Sequence, residues 1–449
     1  MLFTLIIGKL AIKIAGLANK DIGIAGKIAL KINKNILKRL KKKVTGEFIF
    51  IVGTNGKTTT RKLLVEIFGK EKLNIGNNHH SKDDYDGLIS ALIEKVKIFG
   101  KTKVDYMVIE IKDIATLSLF TEIKPEYLII TNLFEEQLSR RGGFKDKIIS
   151  LKEYLNTLPE TTMIFNGDDP VVVDIGMDLK NRLVYYGIDN KDEEDEVEVK
   201  KCIRCEGELR YTYIDAGQLG DYTCLNCDLE RPEIDYLATN VSLKDGIYFD
   251  LWTKGEEYPF DLPSQGYHNI YNLLAALALL DELDIGIDAG ELALEKFEFE
   301  DNEIDTFYIK KPIFLKESDN ISSFEQSLET IDEDEGKIDI LFFFGEEKNE
   351  EDITFIYDSD FSVLEKTNIG KIYITGVRAF DLALAIRYRT NVSKKIIVEE
   401  NEISVLSHAI NGKAEKLYIV AKGDNDINLE KKLLTMEKKW SNNKLWIVK

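Results

Sequence analysis

The residues best placed to do chemistry form a short glycine-containing segment: Gly53, Thr54, Asn55, Gly56, Lys57, Thr58 and Thr59. It follows an apolar run at 48–52 and precedes a helical pattern at 58–69, which is the context of a phosphate-binding loop. Glycine lets the backbone approach a phosphate, while loop amides and the helix N-terminus supply positive charge. Lys57 would then reach the terminal phosphates, and Thr58 would offer its hydroxyl to Mg²⁺. The alternative is a simple turn with an exposed lysine.

A second candidate site consists of four cysteines, paired as Cys202-x-x-Cys205 and Cys224-x-x-Cys227 with 18 residues between the pairs. Two such knuckles place four thiolates around one Zn²⁺ and leave no open position, so the predicted metal is structural. We predict a zinc ribbon at about 198–234, inserted into a larger domain. Disulfide-prone pairs or free thiols are the alternative. A thiolate–metal site indicates a reducing compartment and therefore a cytoplasmic protein.

Strand and helix patterns alternate around these segments. Further strands are predicted at 106–111, 127–131, 163–165 and 183–186, with helices at 87–99 and 145–158 between them. This alternation predicts a doubly wound, parallel α/β sheet, because parallel strands need crossover connections.

The alternation resumes near the C-terminus, where strands are predicted at 338–344, 371–375, 395–398 and 417–420. We therefore predict a second, smaller, Rossmann-like α/β domain. The predicted organisation is an N-terminal helical segment (1–46), a nucleotide-binding central domain (47–300) and the smaller C-terminal domain (301–449).

The chain is acidic, with a formal net charge of -19 over 449 residues. Non-specific nucleic-acid binding requires clustered Lys and Arg, so this balance argues against that class of partner. The N-terminus differs, because an apolar stretch at 1–32 is interrupted by Lys9, Lys13, Lys20, Lys27 and Lys31. We predict amphipathic helices there that pack on the protein's own core or lie on a membrane or a partner.

The seven-residue loop resembles the signature of the Mur ligases and their folate-ligase relatives. Further matches are Glu110 at a strand end, Thr131-Asn132, the segment 166–170, and Gly266–Asn272 followed by two alanines. These enzymes use ATP to phosphorylate a carboxylate, and an amine then attacks the acyl phosphate. The resemblance implies ATP and Mg²⁺ as cofactors, Glu110 as a Mg²⁺ ligand, Asn132 at the nucleotide site and an adenine contact from Asn269. Asn269 would also suit the N-cap of the helix that follows.

The C-terminal part is similar to the MurT-type family at 375–381 and 352–361, and the inserted ribbon is also typical of that family. This similarity implies a cell-wall peptide precursor, carried on a nucleotide or a lipid, as substrate. It further implies a GatD-like glutaminase partner, whose Cys-His-Asp triad Asp352 would complete. A loop carboxylate or a helix cap is the alternative role for Asp352.

The chain departs from these relatives in three places. Asn302-Glu303-Ile304 replaces an N-G-R sequence, only Asn320 remains of an N-P-A-G segment, and residues 77–84 differ. Among side chains, guanidinium alone offers rigid bidentate recognition of phosphate or carboxylate. The missing arginine therefore affects which substrate the chain would recognise. Three hypotheses follow: amidation with ammonia, addition of an amino acid to a murein or pseudomurein peptide, and a non-catalytic nucleotide-binding scaffold.

Overall fold

The structure is a computed structural model of the chain. It describes residues 2–17, 23–78, 84–112, 114–134, 143–189, 199–216, 218–243, 246–264, 266–294, 297, 299, 304–318, 324, 327–328, 330–331, 334, 336–344, 356–357, 359, 361–422 and 426–445. The chain divides after residue 301 into two compact units.

The first unit is built on a large, mainly parallel sheet. Its strands are β1 (Val44–Val52), β2 (Ile75–Asn77), β3 (Thr102–Glu110), β4 (Tyr127–Ile130), β5 (Thr162–Asn166), β6 (Leu183–Ile188), β7 (Val199–Lys201), β8 (Glu208–Ala216), β9 (Leu219–Cys224), β10 (Tyr236–Ser242), β11 (Ile247–Thr253) and β12 (Glu256–Leu262). Within the described residues nine of them form one sheet in the order β12-β11-β10-β6-β5-β4-β1-β3-β2. Only the pairs that involve β11 are antiparallel.

Helices cover both faces of this sheet. They are α1 (Leu2–Leu17), α2 (Gly23–Ile32), α3 (Ile36–Lys41), α4 (Lys57–Lys70), α5 (Asp84–Lys95), α6 (Phe144–Leu155), α7 (Pro170–Met177), α8 (His268–Glu282) and α9 (Asp288–Leu294). The central strand β1 shows the result: Phe48 and Phe50 enter the core beneath α5, while Ile49 and Ile51 enter the core beneath α8. A strand buried on both faces needs the continuous apolar run that the sequence shows. The predicted parallel α/β sheet is confirmed.

The N-terminal helices belong to this first unit. Leu5, Ile36, Leu37 and Leu40 lie in the same core as Leu88 and Leu92 of α5. One face of the N-terminal segment therefore packs on the protein's own core, as one of the two sequence hypotheses proposed.

The cysteine segment forms a separate small sheet. Strands β7, β8 and β9 pair antiparallel in that order, and they contribute a core of their own that includes Leu209, Tyr211 and Tyr222. The sheet lies against α7, because Val173 joins this core and Arg204 pairs with Asp174 at 2.8 Å. The segment is thus an insertion between β6 and β10 of the large sheet.

The second unit is a smaller α/β domain. Its strands are β13 (Ile304–Ile309), β14 (Lys311–Glu317), β15 (Ile338–Phe344), β16 (Ile369–Gly376), β17 (Ile396–Val398) and β18 (Lys416–Lys422), and its helices include α10 (Ala379–Arg389), α11 (Glu402–Ile410) and α12 (Asp426–Leu445). The sheet order is β13-β14-β18-β15-β16-β17 among the described residues, and only β13 runs antiparallel to its neighbour. Every residue of β15 is buried, as expected for the centre of a parallel sheet.

Several strands escaped the sequence prediction, among them β2, β10, β12 and the β13–β14 hairpin. Strand β2 has only three residues, too few for a periodic pattern. The β13–β14 hairpin contains Pro312 and buries Lys311 and Lys316, which are residue types that argue against a strand core.

Candidate functional site

Both glycines of the 53–59 loop occupy positions where a side chain would collide. Gly53 has φ 147°, and a Cβ there would lie 2.0 Å from Oγ1 of Thr131. Gly56 adopts the left-handed conformation at φ 82°, and its Cβ would lie 2.0 Å from Oδ1 of Asn272. The loop conformation therefore requires glycine at both positions.

The loop is tied to the end of strand β4. The amide of Asn55 donates to Oδ1 of Asn132 at 2.9 Å, and the Thr131 hydroxyl donates to the Asn55 carbonyl at 2.6 Å. The Thr54 amide also donates to the Asn132 carbonyl at 2.8 Å, and the Thr54 hydroxyl accepts from the amide of Phe134 at 2.9 Å. Asn132 thus fixes the loop backbone, which is a contact the sequence did not predict for it.

Lys57 lies at the start of α4 and is buried, so the alternative of an exposed lysine in a simple turn is wrong. Its Nζ donates to the carbonyls of Gly53 at 2.5 Å and Thr54 at 2.7 Å. Burial lowers the pKa of Lys57 to about 8, against the opposing effect of Glu110. The amine is therefore mainly charged at pH 7, and an added anion would raise its pKa.

Glu110 ends strand β3 beside Ile51 of β1, which brings it to the start of α4. Its Oε1 accepts a hydrogen bond from the Thr58 hydroxyl at 2.6 Å, and its Oε2 pairs with Nε of Arg61 at 3.1 Å. The carboxylate is buried, and the side chain of Asn78 bonds to both backbone groups of Glu110 at 2.9 and 2.7 Å. A hydroxyl and a carboxylate in contact form the oxygen pair that Mg²⁺ favours beside a phosphate.

Arg61 and Asn78 are site residues that sequence analysis missed. Arg61 lies three residues after Thr58, so both face Glu110 from the same side of α4. That spacing was a usable signal. Asn78 offered none, since it lies in the segment that departs from the family pattern, and its role depends on the pairing of β2 with β3.

Asn269 is buried, and the N-cap role predicted for it is wrong. Helix α8 begins at His268 after Tyr267, so Asn269 lies inside the first turn. Its Nδ2 donates to the hydroxyl of Ser264 at 3.0 Å, and its Oδ1 accepts from Asn272 at 2.8 Å. Because Asn272 also abuts Gly56, this amide pair connects α8 to the loop.

Two buried aspartates support the same edge of the sheet. Asp168 accepts from Arg231 at 2.7 Å and from the hydroxyl of Tyr271 at 2.9 Å. Asp169 caps α7 and accepts from the amide of Leu133 at 2.7 Å, next to Asn132. Burial raises the pKa of Asp169 to about 6 despite these donors.

The four cysteine sulfurs lie within 4.8 Å of one another. Sγ of Cys202 is 3.7 Å from Sγ of Cys227, and Sγ of Cys205 is 3.5 Å from that of Cys224. A tetrahedral Zn²⁺ with bonds of about 2.3 Å separates its thiolates by roughly 3.8 Å, whereas a disulfide needs about 2.05 Å. Amides of Gly207 and Asn226 also donate to two of the sulfurs at 3.4 Å. The donor set fits one tetrathiolate metal ion.

The remaining predicted positions lie at the start of α4, at the start of β13 or outside the described residues. Thr59 is half-buried in the first turn of α4. Asp352, Asn302, Glu303 and Asn320 lie outside the described residues, as do residues 79–83 of the segment that departs from the family pattern. Ile304 is the first residue of β13.

Two family models match the chain. The Mur ligase middle domain matches residues 51–280, and the MurT ligase C-terminal domain matches residues 318–422. The chain is 28% identical over 400 residues to the lipid II isoglutaminyl synthase (glutamine-hydrolyzing) subunit MurT of Staphylococcus aureus, covering 87% of this chain and 89% of that protein. The same subunit from Streptococcus pneumoniae is 26% identical, with 88% of each chain covered.

Solved structures show the same fold. A pseudomurein peptide ligase type C from Methanothermus fervidus superposes with a TM-score of 0.69 at 23% identity, covering 91% of this chain and 84% of that one. MurF from Acinetobacter baumannii gives a TM-score of 0.63 at 16% identity, covering 93% and 81%. The Mur ligase model spans half of the chain and includes the 53–59 loop, Glu110 and Asn269. The chain therefore belongs to the Mur ligase family of ATP-dependent ligases.

Proposed function

We propose that this protein uses ATP to activate a carboxylate of a cell-wall peptide precursor and converts it to an amide. The observation that carries the proposal is the cluster of Lys57, Thr58 and Glu110 at the start of α4. It combines with the 28% identity to the MurT subunits over most of both chains. The location that suits this chemistry is the cytoplasm, where thiols stay reduced.

The first step is phosphoryl transfer. A carboxylate oxygen of the precursor attacks the γ-phosphorus of ATP, the bond to the β-phosphate oxygen breaks, and ADP leaves. Lys57 and the amides that begin α4 neutralise the charge on the phosphates. Mg²⁺ supplies further charge neutralisation when it is bound, and Thr58 and Glu110 would hold it. Arg61 and Asn78 position Glu110. The family resemblance implies an adenine contact from Asn269, although its side chain is buried between Ser264 and Asn272.

The second step forms the amide. The nitrogen of ammonia attacks the acyl carbon, inorganic phosphate leaves with the bonding electron pair, and the nitrogen loses a proton. The four cysteines of the sequence gather in one cluster, so no other thiol remains to hydrolyse glutamine. A GatD-like glutaminase partner would therefore supply the ammonia, and Asp352 would orient the histidine of its triad.

The second unit presents a surface for such a partner. On α10 the side chains of Phe380, Leu384 and Tyr388 are exposed at helical spacing, and Val377 precedes them. Arg387 and Arg389 are exposed beside them. Aromatic residues and arginine are enriched at protein–protein interfaces, and the arginines favour an acidic rim on the partner. We propose that the glutaminase docks on this face.

Zn²⁺ is the metal that we propose for the four cysteines. It would be held by Cys202, Cys205, Cys224 and Cys227 and would stabilise the inserted sheet, because that sheet has only a small core of its own. With four protein ligands the metal has no position for a substrate.

Mass spectrometry of precursors tests the proposal. Lipid-linked and nucleotide-linked peptide precursors are incubated with the protein, Mg²⁺, ATP and either ammonium chloride or amino acids. We expect conversion of one carboxylic acid to its amide with ammonium chloride, and with glutamine only when the glutaminase is added. Gain of an amino-acid residue would show a peptide ligase instead. Absence of product and of ATP hydrolysis under every condition would leave a non-catalytic nucleotide-binding scaffold.

A further inference from the structure

Helix α1 packs on the first unit through one face only. Thr4, Leu5 and Gly8 are buried, and a Cβ on Gly8 would lie 2.9 Å from Cδ1 of Ile93 on α5. Nζ of Lys9 donates to the carbonyl of Glu94 at 2.9 Å and anchors the edge of the helix. These contacts hold α1 in a fixed rotation about its own axis.

The opposite face of α1 is apolar and exposed. Phe3, Ile6, Leu10 and Ile14 are 68%, 46%, 57% and 58% exposed. They follow one another at intervals of three or four residues, so they line one side of the helix over most of its length. A continuous apolar stripe differs from scattered surface leucines, because it marks an interaction surface.

The segment of the chain that carries this stripe is strongly cationic. Residues 1–43 contain eleven Lys or Arg and a single acidic residue, Asp21, in a chain whose net charge is -19. Lys13 is exposed beside Ile14. The neighbouring helix α2 repeats the pattern, with Ile24 and Ile32 exposed together with Lys27 and Lys31. The N-terminal helices therefore combine apolar side chains with positive charge, whereas the chain as a whole has a negative net charge.

We propose that α1 lies along an anionic lipid surface, with Phe3, Ile6, Leu10 and Ile14 among the acyl chains and the lysines at the headgroups. Aliphatic residues with lysine are the composition of helices that lie in a membrane interface. Protein–protein interfaces are instead depleted in lysine. The helix lies on the bilayer and does not cross it, since α1 has 16 residues and no described helix is long and apolar enough to span a membrane.

This inference goes beyond the proposed ligase function and does not depend on it. Lipid binding is measured without ATP or precursor, and ligase activity with a nucleotide-linked precursor is measured without vesicles. The two proposals therefore fail separately.

The test is sedimentation of the full-length protein with vesicles of phosphatidylcholine alone or of phosphatidylcholine mixed with phosphatidylglycerol. We expect binding only to the mixed vesicles, with loss at high salt. Leu10→Glu should weaken binding at least about tenfold, because it places a charge in the stripe. Lys13→Glu should weaken vesicle binding at least about fivefold, because it removes one lysine from the anionic headgroups and puts a negative charge in its place.

Leu292→Glu is the matched control, since Leu292 on α9 is 55% exposed and Leu10 is 57% exposed. It should leave vesicle binding unchanged, and all variants should keep the wild-type circular dichroism melt. The proposal is overturned if the wild type ignores anionic vesicles at low salt, or if Leu10→Glu binds them as the wild type does. It is also overturned if Leu10→Glu only dissociates a dimer or releases a protein partner, because the stripe would then be a protein interface.

Discussion

The 53–59 loop and the four-cysteine cluster are both compact arrangements of polar groups in the same unit, but different forces hold them. Thr131, Asn132 and Asn272, all far away in the sequence, position the loop at the edge of the large sheet. The cysteines lie on a sheet of three short strands with a small core. The large sheet thus fixes the conformation of the loop, whereas the cysteine cluster helps to stabilise the small sheet on which it lies.

Because of this difference, we expect substitutions in the loop to affect activity and substitutions in the cysteine cluster to affect stability. A substitution in the loop should remove activity and leave the folded state nearly intact, because the sheet core remains. A substitution in the cluster should unfold the inserted sheet first and change activity only through contacts that reach the loop.

Lys57→Ala should lower the rate of ATP-dependent amide formation by about 10³-fold, because no other charge of the loop replaces the ammonium at the phosphates. Its melting temperature should stay close to that of the wild type or rise, since the buried ammonium is held at a lowered pKa. The measurements are steady-state phosphate release and a thermal melt. Lys70→Ala, at the exposed end of the same helix, is the control and should change neither. A fully active Lys57→Ala variant would contradict the proposed site.

Glu110→Gln should lower activity by about 10²-fold and raise the Mg²⁺ concentration needed for half-maximal rate. The amide still accepts from Thr58, but it lacks the charge that attracts the cation and pairs with Arg61. A Mg²⁺ titration of the rate measures the effect, with Glu153→Gln on the exposed face of α6 as the control. An unchanged Mg²⁺ requirement would remove Glu110 from the metal site.

The sequence predicted the parts of the 53–59 loop site whose residues lie close together in the chain. Strand, loop and helix follow one another over 44–70, so composition and spacing were enough to place Lys57 and Thr58. Asn78 and the loop-fixing role of Asn132 were not predicted, because each depends on which strands become neighbours. The contact of Asn132 with Asn55, for example, joins residues 77 positions apart. Arg61 was missed although its spacing from Thr58 on α4 was a usable signal.

The start of α8 was misplaced for a related reason. Asn is a favourable N-cap, and the local sequence alone favoured Asn269 in that position. The side chain is instead used inside the unit, where Ser264 and Asn272 both bind it. Tertiary hydrogen bonds thus overrode a local preference. The cysteine spacing, in contrast, predicted the cluster directly, since four sulfurs at metal-ligand spacing have few other arrangements.

Removal of the proposed metal should unfold the inserted sheet while the large sheet stays folded. Chelation, or Cys224→Ser, should cost about 2–5 kcal/mol of local stability and expose 199–231 to proteolysis. Limited proteolysis with mass mapping measures this, and Zn²⁺ added back should restore protection in the chelated wild type but not in the variant. Unchanged protection after complete metal removal would contradict a structural metal.

The pH dependence of ATP binding should report on Lys57. Its pKa is lowered to about 8 by burial, so the folded protein without nucleotide loses this proton at a lower pH than the unfolded chain. Stability without nucleotide should therefore rise from about pH 8 towards pH 10, because the unfolded state binds more protons there. ATP affinity should fall over the same range, by up to about tenfold per pH unit, since phosphate binds the charged amine. Calorimetry should detect proton uptake on binding at about pH 8.5, and Lys57→Met should show neither effect.

The smallest expected effect comes from changing Gln218. Among the described residues, its side chain is the one that joins the inserted sheet to Asp169, near the 53–59 loop. Gln218, in the turn between β8 and β9, donates to Oδ1 of Asp169 at 2.6 Å and to the carbonyl of Leu133 at 3.1 Å. Leu133 follows Asn132, whose side chain fixes Asn55, so the inserted sheet supports the loop through three steps.

Gln218→Met removes these hydrogen bonds but keeps the length of the side chain. Each of the two hydrogen bonds contributes about 1 kcal/mol, but only part of that loss reaches the loop, so the KM for ATP should rise no more than about fivefold while kcat stays close to the wild-type value. Leu225→Gln, exposed beside the cysteines, is the control and should not change KM. If Gln218→Met leaves KM unchanged while Cys224→Ser raises it, the two regions are coupled by another contact. If neither variant changes KM, the inserted sheet and the loop are independent, and the separation of stability from chemistry is complete.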